Sequence, residues 1–422
     1  MATPGSWAAT SHSLLDAHAM SATLNVLVLG SGAVGTLLGT HLAQAGVRVT
    51  FIVRPAALEQ LRMQGLTAQH NSYTIHIANP TLASDPQSVL EQQHFDCVVL
   101  AVKSYDTETA ALQLQAAGRS LPPIVCMQNG VDNEALLAKF FGGGNVIAGT
   151  VTTAATETAP GSVTVERIRG VGFTAGTTLA TRLAAALQAT EMRVQLYTDA
   201  RAMKWSKLLT NMLGNATSAI CDITPSAVFA HPGLYRAEVE ALRETLRVMR
   251  KLQIPVVNLP GVQVRLLAAA ITLLPAAWYQ NFLTRQVGHG RGGKMPSLHN
   301  DLFSGRTRSE VGWINGAAQR HSLACGLSAP VNAGLANILN GCWIRQQQLK
   351  AALLWRSPNG CRCLPLPRRL RPCSRLPTPK SCPPGCWKTH PQRPGATAPK
   401  PWQRMLRRQP PIPPHPCATC SF

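Results

Sequence analysis

Acidic residues are scarce in this sequence. Only 19 Asp and Glu stand against 40 Lys and Arg, a formal charge of +21 over 422 residues. No Asp or Glu occurs after Glu310. Such a surplus usually signals a polyanionic partner, but its distribution argues against one. Thirteen of the Lys and Arg lie from Arg356 onward, which leaves the rest of the chain at only about +8. Aromatic residues are also few, at 5%. Long apolar runs are missing: the best, residues 266–274, stops at Pro275 and reads as a buried helix too short for a bilayer. The first twenty residues contain no Lys or Arg, which argues against a secretory leader. Met20 stands just ahead of the first strand, so residues 1–22 read as a flexible extension or as the product of an upstream start. Of the 12 cysteines, five are scattered through the first 355 residues without metal-ligand spacing, as in a reduced cytosolic protein. These absences argue against a membrane-spanning helix and a secreted disulfide scaffold.

The length accommodates two domains. Residues 24–29 (LNVLVL) form a continuous apolar run, the pattern of a strand buried on both faces. Residues 33–45 then have helical spacing, with Leu37, Leu38, Leu42 and Ala45 on one face and Gly46 as the stop. Further strands are expected at 48–53, 97–102, 123–126 and 146–151, with helices between them. This alternation predicts a parallel, doubly wound sheet, an α/β domain over 23–198. Two stretches, 73–77 and 162–166, alternate with period two and read as edge strands or excursions. From Asp199 strand signals disappear, and 201–220, 234–252, 262–274, 310–323 and 331–354 all read as helices. An all-helical domain over 199–355 is the expectation, interrupted by a glycine-rich loop at 288–296. Residues 356–422 are proline-dense, basic and without periodicity, and they hold the other seven cysteines. That composition predicts disorder, or a frame-shifted or read-through tail.

Gly30-Ser31-Gly32-Ala33-Val34-Gly35 is a GxGxxG turn between an apolar strand and a helix, with a second strand beginning soon after. In that setting the first glycine permits a tight turn, the second leaves room for a pyrophosphate and the third lets the helix approach the strand. The helix N-terminus then presents free amides to phosphate. A purely structural strand-to-helix turn is the alternative. A site for NAD normally ends its second strand with an acid that binds the ribose 2′-hydroxyl, yet no acid lies between Leu24 and Leu58. Arg54 stands there instead, suited to a 2′-phosphate, so NADPH is the expected cofactor unless Arg54 is merely a surface cation.

Lys207, Asn211 and Asn215 follow i, i+4, i+8 spacing and should share one helical face. That face is either solvated or turned toward a polar ligand. Together with VLGSGAVG, VKSYDT, MQNGVDN, KWSKLLTNMLGN, KMPSLHNDL and SEVGWINGA, in that order, it makes the chain resemble the ketopantoate reductase family over about residues 24–349. The resemblance implies a Rossmann-type domain, a helical domain, and an NADP-dependent oxidoreductase acting on CH–OH. It implies reduction of a small 2-oxo acid by NADPH, ketopantoate to pantoate in pantothenate biosynthesis being the family reaction. Lys207 would be the proton-donating lysine. Glu310 would hold the substrate hydroxyl, orient Lys207 and border the cofactor. Asn211, Asn215, Ser297 and Asn129 would bind substrate. Asn129 and Lys103 would also line the cofactor side, near the nicotinamide and the phosphoribose. No metal is implied, nor any nucleic-acid or membrane partner; a cytoplasmic location and a homodimer are compatible with it. Gly312 and Asp106 depart from the family pattern, where an acid and a Gln are common, so the exact oxo acid stays open. A phosphogluconate- or glycerol-3-phosphate-type dehydrogenase and a non-catalytic NADPH sensor are the competing readings. In the tail, Trp387 and Trp402 among basic residues could contact nucleic acid, and Cys382, Cys386, Cys417 and Cys420 could ligate zinc, but their spacing is irregular.

Overall fold

The computed structural model describes residues 23–118, 121–275, 278, 280, 283 and 295–354, all within one compact unit. The expectations for 1–22, for the loop at 288–294 and for the tail lie outside the described residues.

Twelve strands form two sheets among the described residues. The larger contains β1 (Asn25–Leu29), β2 (Arg48–Ile52), β5 (Thr81–Ala83), β6 (Cys97–Leu100), β7 (Ile124–Cys126), β8 (Val146–Val151), β11 (Gly170–Thr174) and β12 (Arg193–Tyr197). Their order is β12-β11-β8-β7-β6-β1-β2-β5. Every neighbouring pair is parallel except β8 and β11, so the sheet is mixed rather than wholly parallel. The strand order reverses between β1 and β6, the switch point where a crevice opens at the carboxyl ends of the strands. The apolar strands expected from the sequence are central: Val26, Leu27 and Val28 have no exposed surface. Helices cover both faces, producing one core around Leu37, Leu38 and Leu42 and another around Ala111, Leu114 and Leu137.

The helix Ala33–Gln44 ends one residue before Ala45, its expected last residue. Gly46, at φ +82°, lets its own N–H reach Ala43 O and that of Val47 reach Leu42 O. This double closure satisfies the last carbonyls. The two period-two segments are strands of a separate sheet. Here β3 (Leu66–His70) pairs with β4 (Tyr73–Ile77), and β9 (Ala154–Ala159) pairs with β10 (Ser162–Arg167), in the order β4-β3-β10-β9.

After Asp199 no further strand occurs among the described residues, and the core is built from helices. The expected single helix over 201–220 is instead two, Ala200–Met212 and Asn215–Cys221. Gly214 breaks it at φ +62°, a conformation only glycine adopts cheaply. Buried Glu238 fixes the break, accepting from Gly214 N at 2.8 Å and from the Thr217 hydroxyl. Asn215 therefore begins a new helix, and the proposed single face ends at Asn211. Residues 310–323 also divide, into a 3-10 turn Glu310–Trp313 and the helix Asn315–Ala324. The expected helices at 234–252, 262–274 and 331–354 appear as Pro232–Lys251, Val264–Leu273 and Pro330–Leu354.

Candidate active site

A cleft of about 1120 Å³ opens at the carboxyl ends of the central strands. The chain after β1 supplies Gly30 to Val34, that after β2 Arg54, that after β6 Lys103, that after β7 Asn129 and that after β8 Thr152 and Thr153. The helical part contributes Lys207, Asn211, Ser297, Asp301, Arg306 and Glu310.

The glycine turn fits a nucleotide diphosphate. Gly30 sits at φ +108°, where its N–H donates to Ile52 O at 3.2 Å. A Cβ on Gly35 would lie 1.7 Å from Gly30 O, so the helix touches the strand backbone there. A Cβ on Gly32 would meet nothing nearer than Glu157 Oε2 at 3.9 Å, which leaves its face open to the cleft. The helix that follows has no side-chain cap and no acid in its first turn, so its leading amides remain available to an anion. Arg54 is exposed on the cleft wall and immediately precedes the helix Pro55–Gln64.

Across the cleft runs a chain of charges. Lys103 Nζ lies 2.8 Å from Glu310 Oε2 and 2.7 Å from Asp301 Oδ2. Arg306 joins Asp301 Oδ1 at 2.9 Å and Glu157 Oε2 at 3.1 Å. Glu310 also accepts from the backbone N–H and hydroxyl of Ser104, both at 3.1 Å, and is 2% exposed. Burial alone would raise the Glu310 pKa, but the Lys103 ammonium and the Ser104 donors outweigh it and hold the carboxyl below its ordinary range. Burial likewise opposes the charge on Lys103, and the carboxylates of Glu310 and Asp301 together push it above the usual lysine value. Lys103, expected on the cofactor side near the phosphoribose, lines the cleft with its ammonium held between two carboxylates. Glu310, expected to orient Lys207, has Lys103 and Ser104 as its described partners.

Both shifts stabilise the folded state. The Glu310 contribution is present above the unfolded carboxyl pKa and is lost as pH falls through the lower folded value. The Lys103 contribution is lost only as pH rises through its elevated folded value. Lys103→Met should therefore destabilise the protein at neutral pH by about 3 kcal/mol, the lower end for breaking a buried pair, because Lys103 is 27% exposed. The deficit should narrow on acidification as the unpaired Glu310 takes up a proton. Chemical denaturation across pH checks this, and a deficit independent of pH would contradict it.

The two domains also meet through amides. Asn211 Nδ2 donates to Asn129 Oδ1 at 2.9 Å, which joins two of the predicted substrate-facing residues. Asn129 O accepts from Asn133 Nδ2 at 2.6 Å, and Gly130 follows at φ +92°. Asn215, expected to bind substrate, is 3% exposed and lies behind the cleft wall. Its amide donates to Asn211 O at 3.0 Å and Ser297 Oγ at 3.4 Å, and its oxygen accepts from Leu298 N at 3.1 Å. The break at Gly214 turned it inward, where it positions Ser297. Lys207 and Ser297 do line the cleft.

Sequence reasoning passed over Lys204, three residues before Lys207. It is buried, with its ammonium on Gln128 O at 2.6 Å and Glu134 Oε1 at 2.8 Å, so it ties the helix to the sheet. Asp301 stood within a quoted motif but was not singled out. The same holds for Ser104, in VKSYDT, whereas Arg306 and Glu157 carried no local signal, since their partners lie far away in sequence.

A family model described as Ketopantoate reductase PanE/ApbA matches residues 26–177, and one described as its C terminal matches 199–342. A 2-dehydropantoate 2-reductase of Halobacterium salinarum is 29% identical over 327 residues, 75% of this chain and 98% of the relative. Another, of Archaeoglobus fulgidus, is 29% identical over 326 residues, 75% and 97% of the two chains. Among solved structures, a PanE/ApbA family ketopantoate reductase from Ralstonia eutropha aligns with a TM-score of 0.65 at 26% identity, over 77% of this chain and 100% of the other. D-mandelate dehydrogenase, solved with NADH and anilino(oxo)acetate, shares the fold with a TM-score of 0.64 at 20% identity, over 77% and 99%.

Proposed function

This chain belongs to the ketopantoate reductase family, and from that membership we propose that it reduces a small 2-oxo acid with NADPH, ketopantoate being the first candidate. In this reading residues 23–198 hold the cofactor and 199–355 close over the substrate. The supporting observation is convergence: the open glycine turn and Arg54 share one cleft with Lys207, Asn211 and Ser297, while Glu310 is fixed on its wall.

Bound NADPH supplies the hydride. Lys207 donates a proton to the ketone oxygen as carbon is reduced, which balances the reaction as ketone plus hydride plus proton to alcohol. Asn211, held by Asn129, and Ser297, held by Asn215, offer neutral donors to the substrate's carboxylate and hydroxyl. Glu310 lines the cleft, immobilised through Oε1 on Ser104 and through Oε2 on Lys103. A carboxylate so held does not reorganise during the reaction.

The test is cofactor consumption with ketopantoate and related oxo acids against phosphorylated alcohols. Reduction of an oxo acid is the expected result; oxidation of a phosphorylated alcohol alone would favour a dehydrogenase of the other type. For cofactor choice, Arg54→Ala should weaken NADPH at least about tenfold, as loss of a charge-assisted contact does, and leave NADH nearly unchanged. Equal losses for both cofactors, measured by fluorescence titration, would contradict the assignment to the 2′-phosphate.

A further inference from the structure

Among the described residues Arg169 is a cation without an anion. It stands between β10 and β11, with its backbone N–H on Thr153 Oγ at 3.1 Å and its stem about 3.1 Å from where a Cβ on Gly261 would be. Its Nε is buried and has no hydrogen-bond partner, and among the described residues its guanidinium makes no ion pair. Burial, and then the neighbouring Arg167, pull its pKa below the ordinary value. Both arginines line the cleft. A half-buried guanidinium whose Nε is buried without a partner is costly, and an anionic ligand would offset that cost.

The fold shows which end of the cleft this is. β11 lies four strands from β1, about 19 Å at ordinary strand spacing, so Arg169 is far from the glycine turn and from Arg54. The helix Ala200–Met212 follows β12, which is parallel to β11, and doubles back along the sheet. Met203 Sδ lies 3.1 Å from a Cβ built on Gly172. One turn further, about 6 Å, is Lys207, and two strand residues, about 6.6 Å, lead from Gly172 back to Gly170. Lys207 therefore stands level with the start of β11, and it lines the same cleft as Arg169. The neighbouring loop agrees: Ser206 Oγ accepts from Val257 N at 2.9 Å, and the same loop carries Gly261 against Arg169.

We propose that Arg169 is a specificity-determining residue that selects a 2-oxo acid carrying a second carboxylate, at the end remote from the ketone. The inference rests on the oxo-acid reading, which already gives the first carboxylate to Ser297 and Asn211. The cofactor's phosphates lie at the other end, so the anion at Arg169 belongs to the substrate.

The experiment is calorimetric titration of the full chain, saturated with NADP⁺, with 2-oxo dicarboxylates of increasing length and with the ω-amide of each. At the matching length the dicarboxylate should bind about tenfold to a hundredfold more tightly than its amide, the range for a charge-assisted contact. Arg169→Gln should erase that difference and leave ketopantoate affinity nearly unchanged, while Arg169→Lys should retain part of it. The Lys variant also keeps the test valid if the Gln variant folds poorly. Equal affinity for acid and amide at every length, or a Gln variant that weakens both alike, would overturn the proposal. Turnover is read separately: discrimination in binding with no reduction of any oxo acid would sink the reductase reading and leave Arg169 as an anion site.

Discussion

Lys207→Ala should slow reduction at least about a hundredfold in kcat and leave NADPH bound, because the loss falls on proton transfer rather than on the cofactor site. Lys207 lies on the helix Ala200–Met212, which is anchored by Lys204 on the sheet and by Ser206 on the 257 loop. Removing the Lys207 side chain leaves both anchors intact, so the fold should survive. A single-turnover measurement with enzyme in excess isolates the chemical step, and fluorescence titration reports cofactor binding. Unchanged turnover would remove the proton-donor role. Loss of cofactor binding and turnover together would point to a structural role instead.

The second large effect concerns two glycines three residues apart. Gly32→Ala adds a methyl group into open space, with its nearest neighbour 3.9 Å away. Stability should stay within about 1 kcal/mol, the scale of a changed N-cap. That methyl fills the cradle expected to receive the pyrophosphate, so NADPH affinity should fall at least about a hundredfold, a loss on the scale of one to two ionic hydrogen bonds. Gly35→Ala fails for the opposite reason. Its methyl would lie 1.7 Å from Gly30 O, a backbone atom, and the helix must shift. The expected cost is about 3 kcal/mol, at the upper end for overpacking. Thermal denaturation and cofactor titration of both variants separate the effects. If Gly32→Ala binds NADPH normally, the turn is structural and its nucleotide reading is lost.

These two results also mark how far the sequence could be read. The glycine turn was legible because all of its chemistry is local: a strand, three glycines and a helix adjoin in the chain. The central strands were legible for a similar reason, since an apolar run buried on both faces announces itself. The helix over 201–220 was misread because periodicity carries it straight through Gly214. Only the buried Glu238, 24 residues onward, shows why the chain turns there. The pairing of Lys103 with Glu310 and Asp301 joins residues about 200 positions apart, and no local pattern signals such a contact. Both lysines of KWSK were visible, yet their sequence does not say which is buried in the sheet and which faces the cleft. Arg169 drew no notice, because a buried cation becomes informative only when its surroundings show the missing anion. The second sheet was half legible: alternation marked β4 and β10, but β3 and β9 had no comparable signal.

The central claim is hydride transfer to an oxo acid, and isotope transfer tests it most directly. NADPH deuterated at C4 of the nicotinamide is incubated with the full chain and each 2-oxo acid in turn, and the products are read by mass spectrometry. The account predicts a 2-hydroxy acid with one deuterium at C2 for at least one substrate, formed at least about a hundredfold more slowly by Lys207→Ala. No deuterium in any 2-hydroxy acid, with NADP⁺ instead reduced by a phosphorylated alcohol, would contradict it.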